Sequence, residues 1–117
     1  MTVLTETIHQ GEWLISEASG VRSRDAGIVT VVGTSKYLSG TVMGKITASG
    51  KWVKYDETGT DDGRRVAAGI LWNELPGVAG DTKAAIFTRD CEVISAKLTG
   101  IDANGLANLK LLGIIAR

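Results

Sequence analysis

Between Tyr37 and Asp56 the chain alternates. Val42, Gly44 and Ile46 fall on one side, and Met43, Lys45 and Thr47 on the other. Ala48-Ser49-Gly50 interrupts the pattern, and Trp52 and Lys54 then alternate with Val53 and Tyr55. Period-two alternation on either side of a short Gly-bearing loop predicts a β-hairpin. Other segments carry strand patterns too. Residues 28–32, IVTVV, are rich in β-branched side chains. Residues 66–71, VAAGIL, read as a strand of small residues that is close-packed or lies beside another backbone. Residues 82–88 form a further strand, continued after Arg89-Asp90 by residues 91–94.

The remaining segments are punctuated differently. Residues 1–11 alternate weakly, with Val3, Thr5 and Thr7 opposite Leu4, Glu6 and Ile8. They read either as a frayed terminus or as an arm that becomes a strand on a partner's sheet edge. Trp13-Leu14-Ile15 follows as an apolar group with Trp13 as a core anchor, and Ser16 to Gly20 reads as a loop. Trp72 to Gly77 leaves the small-residue strand through a turn around Pro76. Near the end, Asp102 can cap a helix in which Leu106, Leu109 and Leu112 share a face, with Gly113 as its stop. Asn104-Gly105 is also a hairpin-turn pair, and a glycine costs a helix about 1 kcal/mol relative to alanine. The leucine spacing favours the helix. Ile114 to Ala116 then make a closing strand.

Composition narrows the function classes. A chain of 117 residues with 44% apolar content suffices for one domain with a real core. Fifteen glycines against one proline suit the many tight turns of a β-rich domain. Thirteen basic and thirteen acidic residues cancel, which argues against nucleic acid as the main partner. No apolar run approaches the roughly 20 residues of a membrane span, and the first residues lack a signal-peptide pattern. One cysteine, Cys91, precludes an intramolecular disulfide and fits a reducing compartment.

Candidate chemistry is sparse. His9 is the only histidine, and it lies in the polar N-terminal stretch. One Cys and one His cannot build a structural zinc site. Cys91 more often packs as a small apolar residue than acts as a nucleophile. In the acidic loop 57–63, Asp61 stands where a calcium loop needs glycine, so the reading is a solvated turn. Arg22 and Arg24 could bind an anion, but such pairs more often form surface salt bridges. Lys51, at the end of the hairpin turn, raises the alternative of a biotinyl- or lipoyl-like carrier. Its neighbours Gly50 and Trp52 do not match the acceptor motif of those domains.

Taken in order, several short strings resemble the head decoration proteins of tailed bacteriophages, the lambda-like head protein D family. They are Trp13-Leu14-Ile15-Ser16-Glu17, Arg22-Ser23-Arg24-Asp25, Gly40-Thr41-Val42-Met43-Gly44-Lys45, Ala48-Ser49-Gly50-Lys51, Ala67-Ala68-Gly69-Ile70-Leu71, Arg89-Asp90 and Leu112 to Arg117. The resemblance covers about Trp13 to Arg117. It implies a β-rich fold with a short C-terminal helix, a small barrel or sandwich (α+β). Residues 1–11 would be a flexible arm and residues 12–117 a single domain.

It also implies a non-enzymatic protein without cofactors, made in the host cytoplasm. Such proteins bind as homotrimers outside an expanded capsid, at local three-fold positions, and cement it against the pressure of packaged DNA. The partners would be the protein's own copies and the major capsid protein, with neither nucleic acid nor membrane. The capsid contact would fall on Thr2, Val3, Leu4, Thr5, Glu6, Thr7, Ile8, His9 and Trp13. Trimer contacts would lie near Trp72, Asn73, Glu74 and Leu75. One departure stands out: the helix before the closing strand is often alanine-rich in this family, and here it carries Asn104, Gly105 and Asn108.

Overall fold

The structure is a computed structural model that describes residues 10–20 and 22–117. Among the described residues eight strands, a short 3-10 turn and one helix follow each other. They are β1 (Leu14–Glu17), β2 (Arg24–Val31), β3 (Val42–Lys45), β4 (Trp52–Lys54), β5 (Ala67–Leu71), β6 (Gly80–Phe87), β7 (Cys91–Val93), the 3-10 turn Ser95–Lys97, α1 (Ala103–Leu111) and β8 (Ile114–Ala116).

The predicted hairpin is β3–β4, with Met43 opposite Lys54, Gly44 opposite Val53 and Lys45 opposite Trp52. Its turn closes through Ile46 N–H to Lys51 O at 2.8 Å and Gly50 N–H to Ile46 O at 2.8 Å. Gly50 has φ +73°, a conformation that glycine adopts without steric cost. The hairpin occupies the middle of a closed five-stranded barrel in the order β2-β4-β3-β5-β6. β6 returns to β2 over eight paired residues, from Arg24 opposite Phe87 to Val31 opposite Gly80. Within the barrel one strand pairing is parallel, Val29 beside Trp52. A second sheet, β1-β7-β8, and α1 pack on the outside of this barrel.

Three barrel strands are buried on both faces. Successive residues of a strand point to opposite sides, and here each side meets a core. Met43, Leu71 and Ile86 join the cluster with Val29, Tyr37, Trp52 and Leu75. Their neighbours Val42, Ile70 and Phe87 join the other, with Trp13, Val93, Leu109 and Ile114. This explains why 66–71 and 82–88 carry adjacent apolar residues. The small residues of β5 answer a close approach: a Cβ on Gly69 would lie 2.6 Å from Ile86 Cγ2 and 2.9 Å from the Phe87 carbonyl oxygen.

Three boundaries differ from the sequence expectation. Ser16 and Glu17 belong to β1, not to a loop. β2 begins at Arg24, four residues before the β-branched run, because β6 pairs it that far. Residues 91–93 do not prolong the preceding strand; they cross to the second sheet between β1 and β8. The turn before them holds Asp90 at φ +48°.

The helix forms as its pattern predicts. Asp102 Oδ1 accepts from Gly105 N–H at 2.6 Å, Leu109 is fully buried, and Leu106 and Leu112 are half-buried. Gly113, at φ +81°, ends it. Each departure from an alanine-rich helix has a contact. Gly105 is buried against Tyr55, Asn108 Oδ1 accepts from Ala67 N–H at 3.1 Å, and Asn104 Nδ2 donates to Glu57 Oε1. Burial raises the Tyr55 hydroxyl to about 12, and this hydroxyl donates to Asp102 Oδ1 at 2.8 Å.

The crowding at Gly69 predicts that Gly69→Ala costs roughly 1–3 kcal/mol, because the added methyl meets backbone that cannot yield cheaply. Urea denaturation should show a lowered midpoint at unchanged slope. Wild-type stability in the variant would refute the packing account.

Candidate functional site

Residues 2–9, which include the expected capsid-contact residues Thr2, Val3, Leu4, Thr5, Glu6, Thr7, Ile8 and His9, lie outside the described residues. The structure does show where that segment joins the domain. Gly11 takes φ +78° and its backbone lies against the Trp72 ring, where a Cβ would come within 2.7 Å of Cη2. Leu14 N–H donates to Gly11 O at 3.0 Å, closing a tight turn. Lys97 Nζ pairs with Glu12 at 3.1 Å on the surface.

One serine holds this junction. Ser39 Oγ accepts from Trp13 Nε1–H at 2.8 Å and from Gly11 N–H at 3.2 Å, and donates to Trp72 O at 2.7 Å. Ser39 and Trp13 are both fully buried. A buried indole N–H usually finds a partner, and the partner here belongs to the segment entering β3. Trp13 meets Phe87 edge-on, with ring centroids 5.2 Å apart, and Trp72 at 6.1 Å. Trp13 thus bears out the expectation of a core anchor. Trp13 was also expected among the direct capsid contacts; in the isolated chain its side chain has no exposed surface.

Arg24 completes the junction. Its guanidinium carbon lies 4.2 Å from the Trp72 ring centroid and 4.9 Å from that of Phe87. The same group forks onto Glu17, with Nε to Oε2 at 3.0 Å and Nη2 to Oε1 at 2.8 Å. Bidentate pairing of this kind is geometrically specific. The Arg24 hydrogen bonds hold the Glu17 carboxyl below its ordinary value. Of the two readings of Arg22 and Arg24, the salt bridge is the one Arg24 adopts. Ser39, Gly11 and Glu17 were not singled out by the sequence. The buried indole was the available signal, since it demands an acceptor somewhere distant in the chain.

The turn expected at subunit contacts is largely committed to its own domain. Trp72 is half-buried in the junction. Asn73 Oδ1 accepts from Ala85 N–H at 2.8 Å. Leu75 is 4% exposed, packs in the barrel core and pairs with Tyr37 through two main-chain hydrogen bonds of 2.8 and 2.9 Å. The Leu75 side chain is therefore a core residue of its own domain. Only Glu74 is exposed, and it pairs with Lys36 at 3.0 Å. Beside this turn, Val32 and Val78 are both about two-thirds exposed.

The other candidates fall into ordinary structural roles. Lys51 Nζ pairs with Asp81 Oδ2 at 2.6 Å on the surface, and the residue immediately precedes β4. Cys91 is buried, which pushes its thiol up to about 12 and keeps it protonated. In the acidic loop Asp56 Oδ1 accepts from Thr58, and Asp62 pairs with Arg64 at 2.8 Å. Among the described residues no three metal-ligating side chains converge, and no helix is long and apolar enough to cross a membrane. An apolar groove of about 450 Å³ runs between α1 and β8, past Leu106, Lys110 and Ile115, with no acid–base pair in its lining.

The Arg24–Glu17 fork predicts a pH-dependent contribution at the junction. The folded Glu17 carboxyl lies below its unfolded value, so the stabilisation is complete above the ordinary carboxylate range. It is lost as pH falls through the folded value. Glu17→Gln should cost about 1 kcal/mol at neutral pH, and the difference from wild type should vanish in acid. Urea titrations at both conditions check this; a gap that persists in acid would contradict it.

The family model described as bacteriophage lambda head decoration protein D matches residues 3–114. No curated protein matches the chain. The match spans the barrel, the helix, the second sheet up to the first residue of β8 and part of the segment ahead of Gly11, so the chain belongs to the bacteriophage lambda head decoration protein D family and has a phage capsid decoration role.

Proposed function

We propose that this protein binds the outside of an expanded phage head as a homotrimer at local three-fold sites and cements the shell. The family match, which begins at residue 3 and so includes the segment before the domain, is the observation that carries this reading. In it, residues 2–9 supply the capsid contact and residues 10–117 supply the body that positions them. An extended segment can add to an open sheet edge, gaining main-chain hydrogen bonds while Val3, Leu4 and Ile8 are buried. The segment is short, and one copy alone would bind weakly. Three copies on one trimer raise the avidity by about 10²–10⁴ where the geometry fits. An unexpanded shell, with its sites misplaced, would engage too few segments to retain the trimer.

The balanced charge of the chain suits such a position, since a protein outside the shell need not meet DNA. The proposed subunit contact lies at the barrel end that carries the Trp72–Leu75 turn. There Glu74 and the exposed valines, Val32 and Val78, form the accessible surface. Exposed apolar surface grouped in this way suits a contact between copies.

Deleting residues 2–9, which spares Gly11 and the Ser39 junction, should leave a folded trimer that no longer sediments with expanded heads. Saturation of the heads by the truncated protein would remove the arm from the mechanism. Val78→Asp should shift the light-scattering mass from trimer towards monomer while the circular dichroism spectrum is kept. A wild-type protein that is monomeric at micromolar concentration would count against trimeric cementing altogether.

A further inference from the structure

We propose that Asn104 is a latent site of spontaneous deamidation, and that the Asp102 cap on the first turn of α1 controls its rate. The reaction needs only water. The Gly105 backbone nitrogen attacks Asn104 Cγ, a new C–N bond closes a five-membered succinimide, and the bond to the side-chain nitrogen breaks as ammonia leaves. The Gly105 amide proton goes to solvent base, and the departing nitrogen takes its third proton from water. Water then opens either carbonyl of the ring, giving aspartate or an isoaspartate whose main chain runs through the side-chain carboxyl. No electrons are transferred. Glycine in the second position removes the steric bar to ring closure, and Asn104 is exposed, so water reaches it.

Three features of the fold hold the reaction back. The attacking nitrogen is engaged, because Gly105 N–H donates to Asp102 Oδ1 at 2.6 Å. The Tyr55 hydroxyl donates to that same oxygen at 2.8 Å and fixes the capping carboxylate. The amide that must leave is held by Glu57, to whose Oε1 Asn104 Nδ2 donates. Asn104 also lies within α1, whose backbone torsions keep Gly105 N away from Cγ. Cyclisation therefore requires the first turn to open, and helix ends are among the segments that open most readily.

The reactive pair sits in a tight seat. A Cβ on Gly105 would lie 3.1 Å from Tyr55 Cε2, from Ile101 Cδ1 and from Asp102 Oδ1, so a side chain there would require these atoms to give by a few tenths of an ångström. Conversion has a structural consequence. The new carboxylate at position 104 accepts but cannot donate, so the tie to Glu57 is replaced by a meeting of two anions beside Asp102. The first turn of α1 would then lose its link to the loop that follows β4.

The test incubates the full-length protein in mildly alkaline buffer. It follows the gained negative charge by anion-exchange chromatography and locates the change by peptide mapping. Wild type should convert slowly when folded and fastest in denaturing urea. Asp102→Ala should raise the folded-state rate roughly fivefold, the effect of losing one N-cap. Asp102→Asn, which still offers a capping oxygen, should stay near wild type. Sub-denaturing urea on the wild type provides a measurement independent of whether the alanine variant folds. There the rate at Asn104 should rise in proportion to hydrogen exchange of the Gly105 amide. A folded Asp102→Ala protein that converts no faster than wild type would overturn the proposal. So would a rate that ignores Gly105 exchange, or a charge change that maps elsewhere or persists in Asn104→Ala.

Discussion

The bond from the Trp13 indole to Ser39 joins the two halves of this fold. The second sheet meets the barrel through an apolar interface, which is non-directional and by itself tolerates sliding. A buried N–H that must find its acceptor removes that freedom, because leaving it unpaired costs about 1–3 kcal/mol. Ser39 meets the demand from the segment entering β3 and donates its own hydroxyl hydrogen bond to the Trp72 carbonyl just after β5. One hydroxyl thus ties the chain's entry to two barrel strands. Phe87 and Trp72 then pack around the indole, and Arg24 covers those two rings.

The barrel beneath this junction owes its rigidity to strands with two buried faces. β3, β5 and β6 each send alternate side chains into separate cores. Register is strongly specified under those conditions, since a one-residue slip would exchange every partner of both cores at once. Closure removes the free edges that an open sheet of this size would present. A body of this kind suits a protein whose task is to be an unchanging fixture on a shell.

Local periodicity made part of this visible in advance. The hairpin, the Leu106–Leu109–Leu112 face and the Gly113 stop depend on residues close in sequence, and all are found. What the pattern concealed is non-local. Nothing near Arg24 announces that β6 will pair with it, because its charge is neutralised by Glu17 and its flat face is covered by Trp72. Residues 91–93 look like a continuation because alternation does not record a change of sheet. At the junction the indole was conspicuous, but its acceptor lay 26 positions away in a plain serine. The expected contact turn drew attention through Trp72 and Leu75, two apolar residues that the domain keeps for itself.

The way β1 is seated has a mechanical consequence. Any pull on the residues ahead of Gly11 passes into β1, which runs antiparallel to β7 from Leu14 opposite Val93 to Glu17 opposite Cys91. A force along the strand loads those hydrogen bonds in shear, so they share the load instead of opening one after another. Trp13, fully buried, sits at the loaded end, directly ahead of β1. Resistance to such a pull is a matter of rate rather than of equilibrium stability. A domain tethered by its first residues therefore holds longest when the bulky anchor stands ahead of the strand, as it does here.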